Sequence, residues 1–350
     1  HRSSSIGELN STAAFTGSTG SGTPGENGYA ILNAFSNDTT VRIANGVGGL
    51  SNANASGASY VAYIWAHNDG DGTFGPTGDQ DIIKCGSYTG NGSTDGTEVN
   101  LGFEPQWVLI KNSGASYNWQ IYDNMRGVTT GGDDEYLLPN SSGAEGYFEA
   151  LEFNATGFKL KATGALINGS GNNYIYIAIR RGPMAVPESA TEVFDVLTSS
   201  SSSALLTSDT VTTDALLHSK RSTSAAFRMH SRLTGQRGLS TYSTAAESDY
   251  STYLQTDEQT GFELTGFWAT NPAVYYSWKR APNYFDVVAA TGGLSGGSLA
   301  SVPHNLGVTP ELIIQKKRSG SSSMDWFVTG SGVGGTDKYL ILNSTAAVAS

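Results

Sequence analysis

The chain has one cysteine, Cys85, in 350 residues, which excludes an intrachain disulfide framework and a cysteine-rich zinc site. Charge is sparse too: Asp, Glu, Lys and Arg make up 15%, against about 25% in an ordinary soluble domain. The 31 acidic and 20 basic residues leave a formal charge of −11, opposite in sign to the footprint of a nucleic-acid binder. No apolar run approaches the roughly 18 residues of a membrane-spanning helix. No stretch holds a helical apolar period over several turns. The five histidines, His1, His67, His218, His230 and His304, fall in no metal-ligand spacing. No Gly-x-Ser-x-Gly sits between a strand and a helix, so a nucleophile elbow is absent.

What the chain does have is glycine, 44 residues or about twice the usual share, and aromatics: 17 Tyr, 13 Phe and 6 Trp. That aromatic content excludes a disordered polymer. Ser, Thr, Gly and Asn fill turns and exposed strand faces without charge, which suits an all-β protein outside a cell or on a particle. Opening on His1 and closing on "NSTAAVAS", the sequence reads as a piece of a longer polypeptide.

The sequence also repeats itself. "SYVAYIWA" (59–66), "NYIYIAIRR" (173–181) and "AVYYSWKR" (273–280) alternate small or polar residues with large apolar ones, the period of a half-buried strand. "GFEPQWVLIKN" (102–112), "TDALLHSKRS" (213–222) and "LGVTPELIIQKKRS" (306–319) open alike. "NWQIYDNMRG", "AFRMHSRLTG" and "DWFVTGSGVG" follow them, and then "EYLLPNSSGAE", "GLSTYSTAAE" and "KYLILNSTAA", with "GELNSTAA" near the front. "NATGFKLKA" (154–162) matches "EQTGFELTG" (258–266). In order, these elements define one unit of roughly 95–115 residues. It occurs as a rear half (1–66), a complete copy (82–182), a diverged complete copy (193–282) and a front half (284–350). Each complete unit offers short aromatic or β-branched segments bounded by Gly- and Asn-rich turns, which predicts a β-sandwich. "ATEVFDVL" (190–197), the best helix candidate, aligns with "PNYFDVV" (282–288) and reads as linker plus first strand. The prolines of "RRGPMAVPESAT" and "KRAPN" follow last strands and stiffen the links. The expected fold is therefore all-β, tandem sandwiches forming an elongated rod. The half units mean either that the polypeptide continues in both directions, which is the expectation, or that the halves complete one another between molecules.

The segments "YVAYIWAHNDGDGTFGPTGDQDIIKCGSYTGNG", "LGFEPQWVLIKN", "IYDNMRG", "LLPNSSGAE" and "KYLILNSTAA" resemble a repeat of structural proteins of tailed bacteriophages, particularly phages of marine bacteria. Residues 193–282 depart from it by losing the Gly-Phe-x-Pro-x-Trp opening. The resemblance implies a non-enzymatic virion protein at the virion surface, in a tail fibre or other appendage. It brings no catalytic residues to carry over. The implied partners are other virion proteins, further copies of this chain, with a trimer favoured, and host-surface glycan; nucleic acid and membrane insertion are not expected.

Candidate chemistry is thin. Tyr117, Tyr147 and Tyr250 lie in or near polar stretches and are candidates to stack on sugar rings; isolated surface tyrosines are the plainer reading. Asp69, Asp71, Asp79 and Asp81 in "NDGDGTFGPTGDQD" offer hard oxygen donors for calcium, yet lack the closing Glu of a helix–loop–helix site, and turn chemistry explains the same residues. The acids Asp133, Asp134 and Glu135 invite a polysaccharide-depolymerase reading, but three consecutive acids in a Gly-rich loop read as a solvated tip. Trp107, Trp119 and Trp326 are expected in cores, Trp65 and Trp278 at junctions, and Cys85 buried and inert. The Asn-x-Ser/Thr triplets at Asn10, Asn54, Asn140, Asn154, Asn168 and Asn343 follow from composition. A carbohydrate-binding adhesin of a bacterial surface is the alternative to a virion spacer.

Overall fold

The computed structural model describes residues 5–6, 9, 12–13, 16–17, 35–37, 40–41, 56–61, 63–65, 74–75, 78–182, 185–199, 205–207, 211–256, 261–265, 272–290, 301–320, 323–333 and 338–349. The chain is built from antiparallel β-sheets with no α-helix among those residues. Two short hairpins come first: β1 (Ser5–Ile6) with β2 (Thr16–Gly17), and β3 (Phe35–Asn37) with β4 (Thr40–Val41).

Between residues 82 and 182 lie β5 (Ile83–Thr89), β6 (Glu98–Asn100), β7 (Pro105–Asn112), β8 (Gln120–Asp123), β9 (Asp134–Tyr136), β10 (Gly146–Phe148), β11 (Leu151–Asn154), β12 (Gly157–Leu160) and β13 (Asn173–Arg180). One sheet runs β5-β13-β7-β8, and an Ile121–Leu137 bridge extends it to the β9–β10 hairpin; the other runs β11-β12-β6. Alternation drives the packing. Along β13, Tyr174, Tyr176 and Ala178 point inward and their neighbours outward. They join Tyr88, Val108, Ile110 and Tyr122 against Val99, Leu151, Phe153, Phe158 and Leu160 of the opposite sheet. Tyr88 stacks on Tyr174 at 4.9 Å between ring centroids and meets Phe158 edge-on at 6.1 Å.

Residues 193–282 repeat this connectivity with β14 (Phe194–Ser199), β15 (Leu205–Thr207), β16 (Ala215–Lys220), β17 (Arg228–Ser231), β18 (Arg237–Ser240), β19 (Ser248–Asp249), β20 (Leu254–Gln255), β21 (Gly261–Leu264) and β22 (Ala273–Trp278). The sheets run β14-β22-β16-β17-β18-β19 and β15-β21-β20, the same order strand for strand. A single 3-10 turn at Ala190–Glu192 precedes β14, so the helix-like segment is indeed linker plus first strand. A last sheet, β23 (Leu312–Gln315), β24 (Phe327–Gly330) and β25 (Leu340–Ile341), corresponds to β7-β8-β9.

One hairpin register recurs four times, pairing residues ten apart: Ile6 with Thr16, Tyr136 with Gly146, Gly238 with Ser248, and Tyr339 with Ala349. Its asparagine has a local task. Asn140 Oδ1 accepts the Trp119 backbone N–H at 3.1 Å, and Asn343 does the same for Trp326 at 2.9 Å. Trp119 and Trp326 are buried as expected, while Trp107 is only half-buried. Cys85 corrects an expectation: it is exposed, because β5 is an edge strand and Cys85 sits on its outward face opposite Ile177.

Gly157 opens β12 where a Cβ would stand 1.9 Å from the Val99 carbonyl oxygen, a backbone atom that cannot move aside without breaking the β12–β6 ladder. Gly157→Ala is expected to lower stability by about 1–3 kcal/mol in urea unfolding. Gly164→Ala, where a Cβ meets nothing within 4 Å, is the control and should leave the midpoint in place.

Candidate functional site

The heaviest concentration of buried charge lies where three segments meet. Ladder register creates it. Arg181 directly follows β13 and Glu104 directly precedes β7; pairing of these strands brings them together, with the Arg181 N–H donating to the Glu104 carbonyl at 2.9 Å. In residues 193–282 the β16–β22 ladder likewise places Asp214 beside Arg280, whose N–H donates to Asp214 Oδ2 at 2.7 Å. The two pairs then cross. Arg280 donates to both Glu104 oxygens, at 2.6 and 3.2 Å, and Arg181 Nη1 lies 3.5 Å from Asp214 Oδ2. From the third segment, Asp286 sits 3.6 Å from Arg280, and Asn305 donates to Glu104 at 2.8 Å. Glu104, Asp214 and Arg280 are all buried. Burial alone would loosen the Arg280 proton, but Glu104, Asp214 and Asp286 more than reverse this and hold its pKa above the usual arginine value. The cluster borders a cleft that also touches Phe153, Leu233 and Val302.

Two lysines make a second kind of junction. Lys111 is fully buried and donates to the carbonyls of Asn112 at 2.6 Å, Ala115 at 3.2 Å and Thr12 at 3.5 Å. Lys316, at the matching place after β23, donates to Met324 at 2.8 Å, Thr244 at 2.9 Å and Lys317 at 3.3 Å. Burial lowers both ammonium pKa values. Thr12 and Thr244 occupy matching places in the ten-residue hairpin, so one contact joins rear half to complete unit and diverged unit to front half. Arg318 adds a bidentate pair to Glu247, at 2.8 and 3.2 Å, and donates to the Thr130 carbonyl at 2.7 Å. Trp278 closes its unit by packing on Phe194 and Phe285 at 5.3 and 6.1 Å, as expected of a junction tryptophan.

The carboxylate trio is not a solvated tip. Asp134 is fully buried and accepts three backbone N–H groups: Thr129 at 2.8 Å, Ala150 at 2.8 Å and Leu151 at 2.9 Å. Burial pushes its carboxyl up to about 8 while those donors favour the anion. With every donor a main-chain amide, Asp134 ties the β9 loop to β11. Asp133 is exposed; Glu135 is half-buried, and burial raises its pKa to about 6.

His218 and His230, on adjacent strands β16 and β17, stack with Nε2 atoms 3.1 Å apart. The Arg237 carbonyl lies 3.2 Å from His230 Nδ1, so that nitrogen carries the proton and Nε2 of His230 accepts from His218. Both rings are neutral: burial above all holds His218 well below the usual histidine value and His230 at about 4. Gly238 makes room, since a Cβ there would lie 2.2 Å from the His230 ring. These histidines stand where residues 82–182 hold Ile110 and Tyr122.

The sugar-stacking candidates separate. Tyr147 is 73% exposed on β10. Tyr117 is half-buried. Tyr250 packs on the core, edge-on to His230 at 5.2 Å and under the Arg228 guanidinium at 5.7 Å, so its ring is taken up internally and the reading of it as a surface platform does not hold. Asp69 and Asp71 lie outside the described residues. Asp79 is exposed and Asp81 half-buried, and among the described residues no three His, Cys, Asp or Glu side chains converge as a metal site. Asn154 caps the β11–β12 turn through the Thr156 N–H at 2.9 Å, and buried Asn168 donates to Ala162 and Ser93 carbonyls at 2.8 and 2.9 Å. Asn10 and Asn54 lie outside the described residues.

A family model described as a domain of unknown function (DUF7483) matches residues 19–183 and 280–350, leaving out most of the diverged unit. No curated protein and no solved structure matches the chain.

Two outcomes test the site. Glu104→Gln leaves the buried Arg280 short of a counter-charge and should cost about 3–5 kcal/mol in urea unfolding. Because both imidazoles have depressed pKa values in the fold, the unfolded chain binds their protons first. Stability should therefore fall as pH drops below about 6.5, by about 1.4 kcal/mol per pH unit for each histidine, down to the folded value. The double variant His218→Ile, His230→Tyr should flatten that acid slope in thermal melts.

Proposed function

The chain belongs to the DUF7483 family, and we propose that it is a non-enzymatic structural protein of a phage virion, part of a tail fibre or other surface appendage that sets spacing and contacts the host surface. The observation that carries this reading is the crossed cluster of Glu104, Arg181, Asp214 and Arg280. The buried charges of this cluster are spent on one another at a joint between units, where they fix orientation. Elsewhere the buried Asp134 and Lys111 and the half-buried Lys316 bond main-chain amides and carbonyls, which is structural work.

The units are read as tandem β-sandwiches descended from one module. Supporting this are the identical strand orders of residues 82–182 and 193–282 and the hairpin register that recurs four times. Arg318 and Asn305 reach Thr130 and Glu104, so residues 284–350 contact the first complete unit as well as the diverged one. Surface contact through repeated units is multivalent, so weak single contacts add to firm attachment. Tyr147, exposed on its hairpin, is the side chain best placed to lie against host glycan. Partners are other virion proteins and further copies of this chain, at the virion surface.

The test is fractionation of virus particles from the source of the sequence. Peptides of this chain are expected to band with nuclease-resistant particles in a density gradient and to label at an appendage with antibodies against the purified protein. Peptides confined to host membranes or medium, and absent from purified particles, would overturn the assignment.

A further inference from the structure

His218 and His230 sit at a seam of the sheet β14-β22-β16-β17-β18-β19. In the β16–β17 ladder His218 stands opposite Arg228 and His230 opposite Leu216, so the two rings meet diagonally across the seam. From β22, Tyr275 stands opposite His218 and stacks on it at 5.9 Å. Tyr250, ahead of β20, meets His230 edge-on at 5.2 Å. From β18 comes the Arg237 carbonyl at His230 Nδ1, while the Arg237 guanidinium turns to Glu247 at 3.9 Å. The side-chain charge that bears on both rings is that of Arg228, a cation.

This geometry suits a neutral pair and resists a charged one. His218 Nε2 donates to His230 Nε2 at 3.1 Å. A proton on His230 Nε2 replaces that bond with two N–H groups aimed at each other. A second proton on His218 instead sets a buried cation beside Arg228, its cross-strand neighbour. Either charge is relieved when β17 moves away from β16 and water enters the seam. The corresponding places in residues 82–182 hold Ile110 and Tyr122, so the first complete unit has no histidine pair at its seam.

What hangs on β17 is a joint. The ladder runs on from Arg228 to Ser240 and from Met229 to Leu239 of β18, and thence to β19. The β18–β19 hairpin holds the segment that follows β23: Trp326 Nε1 donates to the Ser240 carbonyl at 2.9 Å, Lys316 to the Thr244 carbonyl at 2.9 Å, and Arg318 to Glu247 at 2.8 Å. Main-chain bonds run both ways across this contact, from the Met324 N–H to Thr244 and from the Glu247 N–H to Arg318. The other joint is placed differently, since Asp214 precedes β16 and Arg280 follows β22, on the far side of the seam. We propose that the histidine pair is an acid-released catch: when it takes up protons, β17 parts from β16 and the β18–β19 hairpin gives up Lys316, Arg318 and Trp326, while the Glu104–Arg280 joint stays closed. The device is independent of location in a virion, so the particle fractionation can fail without touching it.

Amide hydrogen exchange of the 350-residue chain, read by mass spectrometry at pH 7 and at about pH 5.5 and corrected for the intrinsic pH dependence of exchange, tests it. Each imidazole that charges only in the open state raises the open fraction about tenfold per pH unit below its ordinary value. Peptides covering 228–249 and 323–330 are therefore expected to lose about a hundredfold in protection, while peptides covering 105–112 and 173–180 keep theirs. Two variants without titrating rings, His218→Ile with His230→Tyr and His218→Gln with His230→Gln, are checked for folding by circular dichroism at pH 7. Whichever folds should hold its protection at the lower pH. The parent profile decides even where a variant does not fold. Equal protection of 228–249 at both pH values, a loss shared equally by 173–180, or a loss that persists in a folded variant would each overturn the proposal.

Discussion

Arg280 is the residue on which the arrangement of the described units turns. A guanidinium so removed from water is costly unless its charge and its donors are met, and around Arg280 carboxylates meet them. Here those carboxylates come from three separate stretches of chain: Glu104, Asp214 and Asp286. Apolar surfaces slide over one another at little cost, but a bidentate arginine pair does not. The cluster therefore acts less as a source of stability than as a lock on relative position. Arg181 makes it reciprocal, so that each complete unit presents one acid and one arginine to the other.

The same economy of parts shapes the units. A two-layer sheet fold needs inward side chains on alternate residues, turns that reverse the chain and a few polar anchors. The module meets the last need with main-chain bonds from side chains: Asn140 and Asn343 to tryptophan amides, Asp134 to three amides, and Lys111 and Lys316 to carbonyls. Where residues 193–282 diverge, they keep the strand order but exchange Ile110 and Tyr122 for a neutral histidine pair and the buried Asn124 for a buried Arg232, which donates to the Thr213 carbonyl at 2.6 Å. Topology survives such an exchange because the backbone ladders between β16, β17 and β22 are kept. The family match omits this unit for the same reason: its backbone plan is retained while its side chains are not.

Much of the fold was legible in the sequence. Alternating apolar residues in 173–181 and 273–280, turns rich in Gly and Asn, and the ordered recurrence of five short elements specify strands and a strand order that occurs twice. These features are local, and a period of two residues carries its meaning wherever the strand is placed. Side-chain environments were not legible. Glu104 and Arg280 stand 176 residues apart, and no spacing rule joins them. His218 and His230 meet because β16 and β17 are neighbours, a fact of pairing rather than of motif. Asp134 was read as solvent-facing because it follows glycines, and Cys85 as buried because it lies among isoleucines; sheet-edge position and loop closure reversed both. Composition and periodicity by themselves determined an all-β repeating chain. Which charges would be sealed from water, and hence how the units sit against one another, was decided only by tertiary structure, because burial of an ion depends on partners that approach from elsewhere in the chain.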